Sequence, residues 1–453
     1  MKDVIAYLEE SHASHLEELQ EFLRIPSIST DAEHRADMVR AAEFVADQLH
    51  RAGVSSAEVC PTEGHPIVFG ERSDNPANPT VLIYGHYDVQ PVDPIDLWES
   101  PPFEPTIRDG RLYARGSADD TGQVMIHFKS VEAFNRVRGE LPVNVKYLIE
   151  GEEEIGSPHL NGFIESNLDR LRCDVVAISD TAMFARGVPS ICYGLRGLAY
   201  LEIRVMGARS DLHSGSFGGP VPNPAGILAE ILASMKDEEG RVTIPHFYDD
   251  VVPLTERERK EWQGLAFDVD AYKLELNLPG LAGEKGYSVL ELLWARPTLE
   301  VNGLLSGFTG EGAKTVLPAA AMAKVSMRLV PEQDPDRIAD LFEEYVHSVA
   351  PPSVRVEVKR LHGGKPWVAS LDHPALVAAG NAVERGFGTR PVFQREGGSI
   401  PIVATFSELL QAPSLLIGIG LPDENAHAPN EWLDLEHFRK GILSAAYLLE
   451  ELG

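Results

Sequence analysis

Cysteine is scarce in this chain: Cys60, Cys173 and Cys192 are the only three in 453 residues. Three thiols cannot build a disulfide framework. That excludes the small secreted scaffolds that depend on one and points to a reducing compartment, the cytoplasm. Basic residues are also short, with 40 Lys and Arg against 69 Asp and Glu and a net charge of −29. A surface of that sign repels phosphate backbones and anionic lipid, so neither nucleic acid nor a membrane is an expected partner. No window reaches the roughly 18 consecutive apolar residues that a membrane span needs. The N-terminal "MKDVIAYLEESHASHLEELQEFL" interrupts every apolar run with charge and so lacks the core of a secretion signal. Its Ile5, Leu8, Leu16, Leu19 and Leu23 recur at helical spacing until Pro26 stops them. Repeats, low-complexity tracts and long linkers are missing too.

What is present is enough apolar residue, 43% of the chain, for a sizeable core. The length exceeds one ordinary domain of about 100–200 residues. Up to about residue 193, apolar strand-like runs ("TVLIYGH", "NVKYLIEGE", "CDVVAISD") alternate with helical patterns such as "TGQVMIHFKSVEAFNRV". This predicts an α/β layer fold with buried parallel strands. Near residue 194 the pattern changes. "GLAYLEIRVMG", "NPAGILAEILASM", "PTLEVNGLLSG", "AAMAKVSMRLV", "DPDRIADLFEEYVHSVA" and "SVRVEVKRL" read strand, helix, strand, strand, helix, strand, a ferredoxin-like order. A polar insertion over about 238–296 lengthens its first half. After about 366 the α/β pattern resumes with "SLLIGIG". The expectation is an α/β domain of residues 1–193 and 366–453 with a second domain, 194–365, inserted into it.

The apolar strands end in chemistry. "VLIYG" runs into His86 and Asp88, "YLI" into Glu150, Glu152, Glu153 and Glu154, "VVAIS" into Asp180, and "SLLIGIG" into "LPDENAH" with His427. "GRLYARGSADD" delivers Asp119 and Asp120 just before a helix. Taken singly, these are a hydrogen-bonded turn, a solvated loop, a helix cap and a surface histidine. Taken together they lie where open α/β sheets bind ligands, beyond the carboxyl ends of the strands. Carboxylates and imidazoles gathered there repel or compete for protons unless a cation neutralises them. Oxygen and nitrogen donors without cysteine suit Zn, Mn or Co.

"GHYDVQP", "GRLYARGSADDTGQ", "EGEEEIGS", "ISD" and "AHAPNE" resemble, in order, the motifs of the dinuclear zinc peptidase family that includes carnosinase, cytosolic nonspecific dipeptidase, aminoacylase and succinyl-diaminopimelate desuccinylase. "YGLRG", "DLHSG", "AKTVLP", "MRLVP", "HGGKPW" and "REGGSIP" are similar to the carnosinase and nonspecific dipeptidase branch, and the match runs from about residue 80 to 431. One departure is Thr121, where that branch usually carries lysine or asparagine-lysine. The resemblance implies two divalent ions per chain, zinc first, with manganese or cobalt as alternatives. It implies that Asp119 bridges them, that His86 and Asp180 complete one site, and that Glu154 and His427 complete the other. It makes Glu153 the general base of a metal-bridged water and Asp88 the carboxylate that orients the His86 imidazole. It also implies a cis Asp119–Asp120 peptide.

Beyond the metals, the resemblance places His213 as an oxyanion donor reaching in from a partner subunit, hence a homodimer with composite sites. The half-exposed strand "GLAYLEIRVMG" offers an edge that could pair across a two-fold axis. Arg328 is assigned to the substrate carboxylate, where a planar fork fits. Thr315 and His362 fall at pocket positions, and Ser399 precedes a helix start that favours anions. The reading is a metallopeptidase, a dipeptidase acting on small peptides with a free C-terminal carboxylate. The alternatives are an N-acyl-amino-acid amidohydrolase or desuccinylase using the same centre, and a non-catalytic metal- or peptide-binding protein. Glu153 speaks against the last, because binding alone does not require a base.

Overall fold

The computed structural model describes residues 1–398 and 400–453; Ser399 lies outside the described residues. The chain forms two compact units. One comprises Met1–Tyr193, Ala369–Gln394 and Thr405–Gly453; the other comprises Gly194–Val368 and Arg395–Ala404.

The sheet of the first unit is built around strand Thr80–His86, which pairs in parallel with Asn144–Glu150 on one side and Val175–Ile178 on the other. Ser414–Leu416 extends the parallel set beyond Val175–Ile178, while Ile67–Arg72 and Glu58–Cys60 add antiparallel strands on the far side. The central strands are buried on both faces, which explains their unbroken apolar runs. Register sets His86 opposite Glu150, so the parallel strands finish at a common edge. Helix Thr121–Arg138 packs along this sheet, buried from Thr121 to Phe134. It ends at Gly139, whose φ of 74° makes a left-handed cap without strain.

One consequence of this burial is a pH dependence. His127 lies inside that helix with Nε2 2.7 Å from the Ser179 hydroxyl. Burial pushes its pKa down from 6.5 to about 4. The unfolded chain therefore accepts a proton that the folded state refuses. The stability involved is complete above about pH 6.5 and is lost as pH falls towards 4, roughly 3 kcal/mol over the whole shift. In metal-free protein, moving from about pH 7.5 to about pH 5 should lower wild-type stability by roughly 2 kcal/mol more than it lowers that of His127→Asn, which takes no proton. Denaturant titrations at the two pH values measure this. Equal losses would rule out His127 as the source.

The second unit carries a four-stranded antiparallel sheet in the order Glu300–Ser306, Ala320–Leu329, Gly197–Met206, Arg355–Gly364. With helices Pro224–Ala233 and Pro335–Val349 it has the ferredoxin-like order. Both helices start with proline after a capping residue, Asn223 or Asp334, whose side chain accepts a backbone N–H. Along Ala320–Leu329 the buried residues alternate: Ala321, Ala323, Val325, Met327 and Leu329 face a core with Leu228, Ile231, Ile338 and Phe342. The segment 238–296 is not simply polar loop. It contains helices Glu256–Gln263, Val269–Glu275 and Val289–Trp294, the first and last opened by capping boxes.

One expectation is corrected here. Strand Gly197–Met206 has no open edge, because Ala320–Leu329 and Arg355–Gly364 pair with its two sides. Its alternation reports a sheet with one covered face, which says nothing about which strand lies outermost. Among the described residues an outer strand is Glu300–Ser306, where Val301, Leu304 and Leu305 are exposed. No helix among the described residues is long and apolar enough to cross a membrane.

Candidate metal centre

At the common edge of the parallel strands, donors from five chain segments converge. His86 closes strand Thr80–His86, and Asp180 lies just beyond Val175–Ile178. Glu154 sits in the single turn Glu153–Ile155 that follows Asn144–Glu150. Asp119 lies two residues before helix Thr121–Arg138, and the Asp119–Asp120 peptide is cis. His427 sits on the loop after Ser414–Leu416, in a left-handed conformation with φ 63°. That loop is stapled by Glu424, whose carboxylate accepts the N–H groups of Leu421 at 2.8 Å and Asp434 at 3.2 Å.

The donors form two groups, His86–Asp119–Asp180 and Asp119–Glu154–His427, each with its ligand atoms within 4.8 Å of one another. Asp119 belongs to both. Its Oδ1 lies 3.1 Å from His86 Nε2, and its Oδ2 lies 2.9 Å from His427 Nε2. Asp180 Oδ2 is 4.0 Å from His86 Nε2, and Glu154 Oε2 is 3.2 Å from His427 Nε2.

The electrostatics suit cations. Burial, then the charge of Asp119, pushes Asp180 well above the usual carboxylate range. Burial lifts Glu153 and Asp120 to about 7, and Glu150 to about 8. Hydrogen bonds to Asp119 and Glu154 raise His427 to about 10. Burial disfavours charged His86, yet its bonds to Asp119 and Asp88 raise it well above its ordinary value. Burial also opposes ionised Asp119, but His427 and His86 hold it below the usual range. The cluster thus gathers more carboxylates than its two histidines can balance, so that several resist ionising, and divalent ions fit it in charge and in donor type.

Asp88 stands behind the His86 imidazole and has a second set of partners. The nearest oxygen to His86 Nδ1 is the Asp88 backbone carbonyl, at 3.0 Å; the carboxylate is 3.4 Å away. That carboxylate also accepts the backbone N–H of Glu153 at 3.2 Å and of Glu154 at 3.1 Å. It therefore holds the turn that carries both glutamates, as well as standing behind the imidazole. Thr121 is buried at the first position of its helix.

The second unit holds the other expected residues. His213 and Thr315 are neighbours on a two-stranded ribbon: His213 faces Val316, and Ser214 N–H donates to the Thr315 carbonyl at 3.1 Å. His213 Nδ1 accepts the N–H groups of Gly215 and Ser216, which leaves Nε2 as the donor. Arg328 and His362 lie on the sheet away from the helices. Arg328 is in register with Leu198, and His362 is in register with Tyr200, its ring edge-on at 5.0 Å. Burial lowers the Arg328 pKa. Ser399 is outside the described residues.

The sequence reading missed three residues that lie within its own motifs. Gln90 Nε2 donates to Glu154 Oε2 at 2.7 Å. Arg115 and Glu431 form a buried ion pair at 2.7 Å beside the Asp119 loop. Their spacing carries no periodic or charge-clustering signal; only the strings "DVQP", "YARG" and "PNE" contain them.

Comparison with known proteins places this geometry. Residues 82–451 match the model of peptidase family M20/M25/M40. The chain belongs to that family. It is 34% identical over 450 residues to the Cys-Gly metallodipeptidase dug1 of Schizosaccharomyces pombe, covering 96% of this chain and 94% of the relative. It is 33% identical to human Beta-Ala-His dipeptidase over 468 residues, covering 99% and 92%. Among solved structures, the M20 family metallo-carboxypeptidase Sso-CP2 from Sulfolobus solfataricus superposes with a TM-score of 0.86 at 35% identity, covering 97% of this chain and 99% of that one. The protein is thus a hydrolase of the metallopeptidase class.

Proposed function

We propose that this M20 protein is a dipeptidase that cleaves small peptides with a free C-terminal carboxylate, using two divalent ions in its first unit. The observation that carries the reading is Asp119, which offers one carboxylate oxygen to each of two donor groups. His86, Asp119 and Asp180 would hold one ion; Asp119, Glu154 and His427 would hold the other. Zinc fits best, with manganese or cobalt as alternatives. When bound, such a pair would supply Lewis acidity and make a water easier to deprotonate. Glu153 is the non-ligand carboxylate beside it. Its carboxylate oxygen takes the water's proton and returns it to the leaving amine. The Asp88 carboxylate fixes the turn that carries Glu153 and Glu154 by accepting both of their N–H groups.

The first unit is the catalytic one in this reading, and the second is the lid and dimerisation domain. Arg328 binds the substrate carboxylate, with Thr315, His362 and Ser399 as further pocket groups. His213, donating from Nε2, serves the oxyanion in a partner subunit's site. A homodimer through the Glu300–Ser306 edge is supported by the exposed Val301, Leu304 and Leu305 there. The three cysteines are free thiols, which supports a cytoplasmic setting.

A substrate panel tests the function. Cys-Gly, β-Ala-His, other dipeptides and longer peptides would be compared with N-acetyl and N-succinyl amino acids, with zinc, manganese or cobalt added. Dipeptides should be hydrolysed and acylated amino acids left nearly untouched. Preference for the acylated compounds would make the protein an amidohydrolase. Efficient trimming of longer peptides would make it a carboxypeptidase, a reading favoured by its likeness to Sso-CP2. Loaded protein that cleaves nothing would be a binding protein.

A further inference from the structure

Glu431 is fully buried, and so is its partner Arg115. Arg115 Nη1 donates to Glu431 Oε2 at 2.7 Å. The remaining donors to this carboxylate are backbone groups of one short loop. Gly116 N–H reaches Oε2 at 3.0 Å, Ala118 N–H reaches Oε1 at 2.9 Å, and Asp119 N–H reaches Oε1 at 3.1 Å. Arg115 Nη2 donates in turn to the Pro91 carbonyl at 2.9 Å, on the segment that leaves His86. Strand Trp432–Asp434 pairs with Arg111–Tyr113, Trp432 facing Tyr113, and Ala114 N–H donates to the Glu431 carbonyl at 3.1 Å. The ribbon therefore fixes Glu431 next to the loop, four residues along the chain from His427.

We propose that Glu431, with Arg115, is a positioning residue that sets the Asp119 loop in its ligating shape before any metal arrives, and ties it to the segments carrying His86 and His427. The inference rests on the proposed role of Asp119 as the shared ligand. A carboxylate needed only to neutralise a buried guanidinium would point both oxygens at it. The second unit contains such a pair: Glu284 takes Arg296 Nε and Nη2 on its two oxygens, each at 2.9 Å. Glu431 instead spends three of its four contacts on N–H groups of the 116–119 loop, the last belonging to the proposed bridging residue. Gly116 takes φ 83° here, a turn that non-glycine residues adopt only under strain. A loop of that shape needs an acceptor at its centre to hold the N–H groups turned inward.

Two measurements test this. Amide exchange on metal-depleted wild-type protein should show Gly116, Ala118 and Asp119 protected. Free exchange that becomes slow only on adding zinc would overturn the proposal, since the metal would then be shaping the loop. Chelator competition should show Glu431→Gln binding both ions about 10–100-fold more weakly than wild type, the range for a group that orients a ligand. Glu284→Gln, which loses a similarly buried pair, should be less stable but bind both ions normally. Wild-type affinity in Glu431→Gln, or equal losses in the two variants, would overturn the proposal. If Glu431→Gln does not fold, the exchange measurement still decides. A wild type that binds fewer than two ions would sink the metal pair itself, an outcome distinct from unprotected amides.

Discussion

Asp119→Ala should leave the protein unable to hold either metal ion, while His427→Ala should weaken mainly one. The asymmetry follows from geometry. His427 belongs to a single donor group, whereas the two oxygens of Asp119 face both. Removing a group behind a ligand typically costs about 10–100-fold in metal affinity, so removing a ligand common to both sites should cost more at each. The alanine also strips His86 and His427 of an acceptor that raises their pKa values, so both imidazoles should give up protons more readily. Elemental analysis of dialysed, zinc-loaded protein checks the claim. Two ions in wild type, about one in His427→Ala and none in Asp119→Ala is the expected series. One ion retained by Asp119→Ala would refute the proposal that it serves both ions.

Glu153→Gln should keep both metals and lose roughly 10²–10⁴-fold in turnover, the range for loss of a general base. Glutamine preserves size and hydrogen bonding but accepts no proton. The backbone N–H of residue 153 still reaches Asp88, so the turn should hold. Turnover near wild type would refute the assignment. The same variant probes the proposed dimer. Mixed under subunit exchange with His213→Ala, a composite site would be made whole in each mixed dimer, restoring up to about half of its activity. If His213 serves its own chain, every site in the mixture keeps one lesion and nothing returns.

Much of the site was legible because its chemistry sits where strands stop. His86, Glu154 and Asp180 each follow a run of apolar residues, and the parallel register brings those ends level. The ferredoxin-like order was legible from periodicity alone. What escaped were groups that act through backbone. Glu431 and Gln90 matter for the N–H groups and carboxylates they meet, and no spacing rule encodes such meetings. The Asp88 carboxylate was expected behind an imidazole; its grip on two backbone N–H groups depends on how the 153–155 turn closes, which side-chain types do not dictate. The edge assignment of Gly197–Met206 failed because pattern reports faces and pairing decides edges.

The level finish of the parallel strands makes length a sharper constraint than identity. Strand Thr80–His86 has seven residues, and its side chains alternate between two faces. Substituting Ile83 by another apolar residue would disturb packing and leave His86 in place. Deleting it would draw the chain back by one residue, about 3.3 Å, and turn every later side chain to the opposite face. Insertions in the exposed stretch 276–283, between two helices of the 238–296 segment, would shift no strand that carries a donor. In a collection of random variants, gaps should be purged from the strands that feed the cluster and accumulate in that stretch, even where the strands accept many substitutions.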